Sequence, residues 1–235
     1  MDQPTRFPWG DFPDVLIHAS ESLVKNHHAY PAAKAGGTLA AVELIAGLMS
    51  ASVLSDLRAY FDHRHPRLLS VHAEESGGIN AIPEVMAATI AGALKWPYER
   101  QIVQTNVVSH TGANGYARLQ RQAVFSGTVA AGLHYILVDD FIGQGGTLAN
   151  LRGHIMAQGS QVLGATVLTG KDYSATLAAT DLQLAGLRRK HGHIEDWWRQ
   201  RFGFDFDCLT ASEVRYLSRT ATSSRVIERL EEISD

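Results

Sequence analysis

Residues 134 to 151 read His-Tyr-Ile-Leu-Val-Asp-Asp-Phe-Ile-Gly-Gln-Gly-Gly-Thr-Leu-Ala-Asn-Leu, and no other stretch constrains the chain as much. Tyr135 to Val138 is a short apolar, β-rich run, the pattern of a buried strand, and it is expected to stop at the adjacent carboxylates Asp139 and Asp140. Gly143, Gly145 and Gly146 come next, then Thr147 as the expected helix N-cap, then Leu148 to Met156 with helical apolar spacing. Glycines let a backbone turn tightly and approach a ligand, and the free N–H groups at the start of a helix attract an anion. Two carboxylates beside that anion site repel phosphate, yet they accept hydrogen bonds from sugar hydroxyls or help hold a hydrated metal ion. Together these residues point to a sugar phosphate.

Other glycine motifs fail on spacing. There is no Walker Gly-x-x-x-x-Gly-Lys, and Gly143, Gly145 and Gly146 do not make Gly-x-Gly-x-x-Gly. The segment Ile136 to Leu148 (ILVDDFIGQGGTL) instead resembles the signature of the type I phosphoribosyltransferases throughout. The resemblance implies that Asp139 and Asp140 contact the ribose hydroxyls of phosphoribosyl pyrophosphate (PRPP), and that Gly143, Gln144, Gly145, Gly146 and Thr147 wrap its 5-phosphate. It also implies an α/β fold, a Rossmann-like and mostly parallel sheet flanked by helices and covered by a helical hood.

Strand and helix patterns alternate from residue 67 to 170, which by itself implies βαβ crossovers with ligands at the C-terminal edge of a mostly parallel sheet. Arg67 to Val71 is a strand candidate that runs into His72-Ala-Glu-Glu-Ser-Gly-Gly78, before helical periodicity resumes over Ile79 to Leu94. By resemblance Glu75, Ser76, Gly77 and Gly78 form the pyrophosphate loop. Relatives often carry Arg or Lys there, whereas Glu74 and Glu75 would repel bare pyrophosphate unless magnesium lies between. Magnesium is therefore expected with PRPP, with Glu74 and Glu75 as the protein groups nearest to it and no direct protein cage.

Arg100 to Val108 is the next strand candidate, followed by a glycine- and polar-rich loop from Ser109 to Arg121. In the resembled family a mobile loop in this place closes over the reacting centre, which makes Tyr116, Arg118 and Arg121 candidates, the arginines to neutralise departing pyrophosphate. Ala123 to Val129 reads as a short β segment and Gln161 to Leu168 as the last core strand.

The flanks read differently. Asp11 to His28 suggests one helix and Thr38 to Phe61 a second, whereas residues 172–235 lack strand-and-helix alternation and hold several short helices, including a Thr210-x-x-Glu213 capping box. The expected division is a helical segment over 1–62, a phosphoribosyltransferase core over 63–171 and a helical hood over 172–235. Trp197, Trp198, Phe204 and Phe206 have the spacing of core residues, although aromatic rings in a hood can also stack on a base.

Lys and Arg total 21 against 24 Asp and Glu, a net charge of -3, which supplies no general footprint for nucleic acid or an anionic membrane. The lone Cys208 excludes an internal disulfide framework and reads as a buried thiol, while His27-His28 and His63-x-His65 lack metal-site spacing. With no secretory pattern at the first residues and no apolar run of membrane-spanning length, the expectation is a cytoplasmic protein. The partners expected are PRPP and a nucleobase-like small molecule, without nucleic acid or membrane, and the resemblance implies a homodimer. The expected activity is transfer of 5-phosphoribosyl from PRPP to a nitrogenous base with release of pyrophosphate. The alternative is a regulator that senses PRPP or a nucleotide without turnover.

Overall fold

The computed structural model describes residues 4–75, 78–106 and 115–233. In chain order its strands are β1 (Leu16–Ile17), β2 (Arg67–Ser70), β3 (Glu74–Glu75), β4 (Gly78–Ile79), β5 (Tyr98–Glu99), β6 (Val103–Gln104), β7 (Phe125–Ser126), β8 (His134–Ile142) and β9 (Gln161–Gly170). One sheet has the order β1-β9-β8-β2-β5 with every neighbouring pair parallel, while β3 with β4 and β6 with β7 make separate antiparallel ribbons. The chain is thus an α/β fold with a parallel central sheet flanked by helices.

Strand β8 lies in the middle of that sheet because its run is apolar on both faces, as a doubly covered parallel strand requires. Ile136 and Val138 point into one core with Leu68 and Leu168, while Tyr135 and Leu137 point into the other with Leu69 and Val167. The first core is covered by α1 (Glu21–Lys25), α2 (Tyr30–Lys34), α3 (Thr38–Leu48), α4 (Ala51–Phe61) and α5 (Ile82–Leu94). After the short α6 (Gly115–Gln120), the second core is covered by α7 (Gly146–Met156), by the N-terminal Trp9 and Val15, and by Phe125 of the β6–β7 ribbon.

A third core joins α8 (Asp181–His191), α9 (Glu195–Phe202), α10 (Ala211–Ser218) and α11 (Ser223–Glu231) with Tyr116 and Leu119 of α6. Trp198, Phe204 and Phe206 are 0%, 4% and 1% exposed inside it, so those rings are packing groups. The thiol of Cys208 is buried there too, and burial pushes its pKa up to about 12, as expected for an inert side chain.

Several local expectations are corrected. The supposed first helix contains β1, whose Leu16 and Ile17 pair with Thr166 and Val167 of β9, so a long-range ladder overrides the local helical pattern. The second splits at Met49–Ser50 with a bend of 85° between α3 and α4, and the Ser50 hydroxyl caps α4 by accepting from Val53 N–H at 3.3 Å. The described part of the Arg100 to Val108 candidate, residues 100–106, does not join the main sheet: β5 ends at Glu99, and Val103–Gln104 pairs with the antiparallel β7 instead, while residues 107 and 108 lie outside the described residues. No single helix among the described residues is long and apolar enough to cross a membrane.

Candidate functional site

The carboxylates Asp139 and Asp140 do not end their strand. The ladder runs on, with Phe141 opposite Thr169 and Ile142 opposite Gly170, because β9 is long enough to pair with it. Successive side chains on a strand point to opposite faces, so the two acids straddle the sheet at its C-terminal edge. Asp140 shares the face of Ile136 and Val138, where Lys34 at the end of α2 donates to its Oδ2 at 2.8 Å. Asp139 takes the opposite face, and its Oδ1 accepts from Asp140 N–H at 2.8 Å. Each is only 7% exposed. Burial, reinforced by the neighbouring Asp140 charge, raises the carboxyl pKa of Asp139 well above the ordinary aspartate range.

The glycine loop follows at once. Gly145, at φ +82°, is the N-cap of α7, and Thr147 lies in the first turn, not at the cap as expected. Among the described residues no side chain caps that turn, which leaves its N–H groups open toward the cleft. Glycine is required at 145 for space as well as for φ, since a Cβ there would lie 2.3 Å from Leu177 Cδ2 and 3.3 Å from Thr210 Cγ2. Gly145→Ala is therefore expected to lower stability by about 2–4 kcal/mol in urea denaturation, through left-handed strain plus overpacking. An unchanged midpoint would contradict this.

The loop is braced from the third core. Thr210 Oγ1 donates to Gln144 O at 2.6 Å, and the predicted Thr210–Glu213 capping box opens α10 at that point. Glu213 also pairs with Arg6, whose Nη1 and Nη2 donate to its two oxygens at 2.7 and 3.1 Å, with both side chains 2% exposed. Arg6 Nε donates further to Asn150 Oδ1 at 2.6 Å, and Asn150 Nδ2 to Ala123 O at 2.9 Å. Thr5 O closes over Gly153, where a Cβ would lie 1.7 Å away, and Arg152 donates to Phe7 O and Pro8 O. The N-terminal segment thus ties α7 to α10.

These elements enclose one cleft of about 890 Å³, within the range of roughly 300–1,000 Å³ usual for small-molecule sites. Asp139, Asp140, the whole loop from Gly143 to Thr147, Arg118 and Arg121 all line it. A Cβ on Gly143 would fall 2.8 Å from Arg118 Nη1, which puts that guanidinium against the start of the loop. Tyr116 is a different case: it is 1% exposed, and its hydroxyl bonds to Thr220 at 2.5 Å inside the third core. The described part of the expected mobile loop is therefore the docked helix α6, while residues 109–114 lie outside the described residues. Ser76 and Gly77 also lie outside them, as do the side chains of Glu74 and Glu75, although the backbone pairs Glu74 with Ile79 and Glu75 with Gly78.

The cleft also gathers groups that local sequence did not single out. Lys34, the Glu21 carboxylate bonded to both Lys25 and Lys171, Gln122, and Arg215 and Arg219 all line it. A signal for the last two was present, because Ser212, Arg215, Tyr216 and Arg219 stand at i, i+3, i+4 and i+7 after the capping box. Lys34 and Gln122 carried none.

No protein-family model matches the chain. It is 37% identical to Protein TraN of Escherichia coli over 226 residues, covering 96% of this chain and 50% of that one. It is 35% identical over 157 residues to an uncharacterized protein of Haemophilus influenzae, covering 66% and 35%. The chain thus spans at most about half the length of these curated relatives. Among solved structures, the adenine phosphoribosyltransferase of Thermoanaerobacter pseudethanolicus aligns at 14% identity and TM-score 0.38 over 59% of this chain and 75% of that one. The Saccharomyces cerevisiae adenine phosphoribosyltransferase, solved with an imino-altritol bisphosphate and adenine, aligns at 16% and 0.36 over 59% and 71%. The UMP synthase of Leishmania donovani aligns at 14% and 0.31 over 76% and 35%.

Proposed function

We propose that this protein is a phosphoribosyltransferase that moves 5-phosphoribosyl from PRPP to a ring nitrogen with release of pyrophosphate. One observation carries the reading: the acid pair and the uncapped glycine loop, contiguous in sequence, open into the same cleft at the C-terminal edge of a parallel sheet. The α7 N-terminus takes the 5-phosphate, with Arg118 beside Gly143 adding charge. Asp139 and Asp140 accept the ribose hydroxyls and so orient the anomeric carbon. The bond from that carbon to pyrophosphate breaks as the bond to the acceptor nitrogen forms. Charge builds up on the departing pyrophosphate, and Arg121 is the cation assigned to it.

Magnesium fits this site as part of the substrate. Among the described residues no cluster of three or more His, Cys, Asp or Glu side chains can cage an ion, and magnesium typically keeps several waters while taking one or two carboxylates and phosphate oxygens. When bound, it offsets the pyrophosphate charge.

The acid pair sets a pH dependence. A raised Asp139 pKa means that the folded chain holds this proton more tightly than the unfolded chain does. Its support for folding is therefore present at acidic pH and is lost as pH rises through the folded value. Acceptance of sugar hydroxyls is favoured by the ionised form, so PRPP affinity is expected to increase from acidic pH toward neutrality. Lys34→Met, which removes a nearby cation that favours ionised Asp139, should move that rise to higher pH. Calorimetric titrations at several pH values would read both effects, and a flat profile would contradict them.

The decisive experiment is pyrophosphate release from PRPP with magnesium across purine, pyrimidine and pyridine bases, with PRPP binding measured alongside. Release that depends on a base supports the transferase. Binding without release for any base would favour a PRPP-sensing protein, and no binding would overturn the reading.

A further inference from the structure

The charges that line the cleft are not evenly matched. Eight of the lining side chains are Lys or Arg and four are Asp or Glu. Four of the cations are already engaged: Lys34 with Asp140, Lys25 and Lys171 with Glu21, and Arg6 with Glu213. Asp139, the remaining acid, is held toward its neutral form by burial. Arg121, Arg215 and Arg219 have no carboxylate partner among the described residues.

Two of these three lie on one face of α10. Ser212, Arg215, Tyr216 and Arg219 line the cleft, while Val214 and Leu217 on the opposite side are buried in the third core. The helix is capped by Thr210, which is bonded to the phosphate loop, so Arg215 and Arg219 sit about 7.5 and 13.5 Å further along its axis at about 1.5 Å per residue. That is the span of a ribose and an attached ring, beyond a phosphate seated on α7. Arg215 is also pre-set: its Nη2 donates to Tyr173 O at 2.7 Å and to Ser212 Oγ at 2.6 Å, and its Cζ lies 5.5 Å from the Tyr173 ring centroid. Both bonds use Nη2, the nitrogen common to the two forked edges of a guanidinium, which leaves Nε and Nη1 as single donors and the positive charge to meet an anion.

A second observation is independent of charge. Gln122 lines the same cleft at 9% exposure, and among the described residues neither its amide oxygen nor its amide nitrogen has a hydrogen-bond partner. A buried carboxamide left unsatisfied at both ends carries a cost, which is removed when the side chain turns into the cleft to meet a ligand with a donor and an acceptor on one edge.

We propose that the acceptor is a planar heteroaromatic acid, with its ring edge read by Gln122 and its carboxylate held by Arg215 and Arg219. This rests on the phosphoribosyl-transfer reading above. A neutral base would leave the arginine wall without a counter-charge, whereas an acidic ring meets both the wall and the amide.

The test is calorimetry and pyrophosphate release on the full chain loaded with Mg-PRPP, using matched acceptors that differ by one carboxylate, namely nicotinamide against nicotinate and uracil against orotate. In at least one pair the acid is expected to bind roughly ten- to hundredfold more tightly. Arg215→Gln with Arg219→Gln should abolish that preference while PRPP alone binds as before, and a thermal melt of the double variant beside the parent reports whether losing the Arg215 bonds disturbs the fold. Gln122→Met should weaken acceptor binding while raising Tm, the opposite of what a purely structural glutamine would give. Equal binding within both pairs overturns the proposal and leaves the transferase reading standing. Loss of PRPP binding in the double arginine variant also overturns it, by assigning those cations to the PRPP phosphates. Failure of the unmodified chain to bind PRPP removes the transferase reading, and this proposal with it.

Discussion

A chain carrying Asp139→Asn together with Asp140→Asn is expected to lose PRPP affinity by roughly a hundred- to ten-thousandfold, since two charge-assisted hydrogen bonds of about 1.5–3 kcal/mol each are weakened. The fold should survive. The carboxamide introduced at position 139 keeps an oxygen to accept from the backbone N–H of position 140, and it replaces a carboxyl that burial already disfavours in its ionised form. The substitution at 140 takes away a partner of Lys34, whose side chain is 30% exposed and can turn toward water. A thermal melt within a few degrees of the parent, beside a collapsed calorimetric signal, is the expected pair of results. Unchanged affinity in the folded double variant would refute the assignment of both acids.

Arg6→Met should cost about 3–5 kcal/mol of stability, because it leaves Glu213 buried without its counter-ion. Combining it with Glu213→Leu should restore much of that loss, since an apolar pair avoids burying charge. Urea denaturation of the two single variants and the double would measure the coupling. A loss below about 1 kcal/mol for Arg6→Met would show that water reaches Glu213 and that the strap is not a brace.

What could be read from the sequence was mainly local. The apolar run of β8, the glycines after it, the Thr210–Glu213 capping box and the buried aromatic cluster of α9 were all legible, because each depends on neighbours within a few residues. The expected stop of β8 at the acids failed because pairing with β9 carries the strand through Ile142 against the usual strand preferences of aspartate. Strand β1 was hidden for the same reason: its two residues take their conformation from a partner strand about 150 residues away. The site divides in the same way. Its glycine loop was legible, whereas Lys34 meets Asp140 only across 106 positions, and nothing around Gln122 marks a buried amide without a partner among the described residues.

The Arg6–Glu213 pair spans 207 positions, and this separation has a temporal consequence. At a synthesis rate of roughly 5–20 residues per second, Arg6 waits about 10–40 s before Glu213 exists. Until then α7 lacks its strap and the glycine loop lacks Thr210. A nascent chain that already holds the complete ILVDDFIGQGGTL segment is therefore expected to be unable to grip a sugar phosphate, and ligand capture should begin only after α10 has been made and docked.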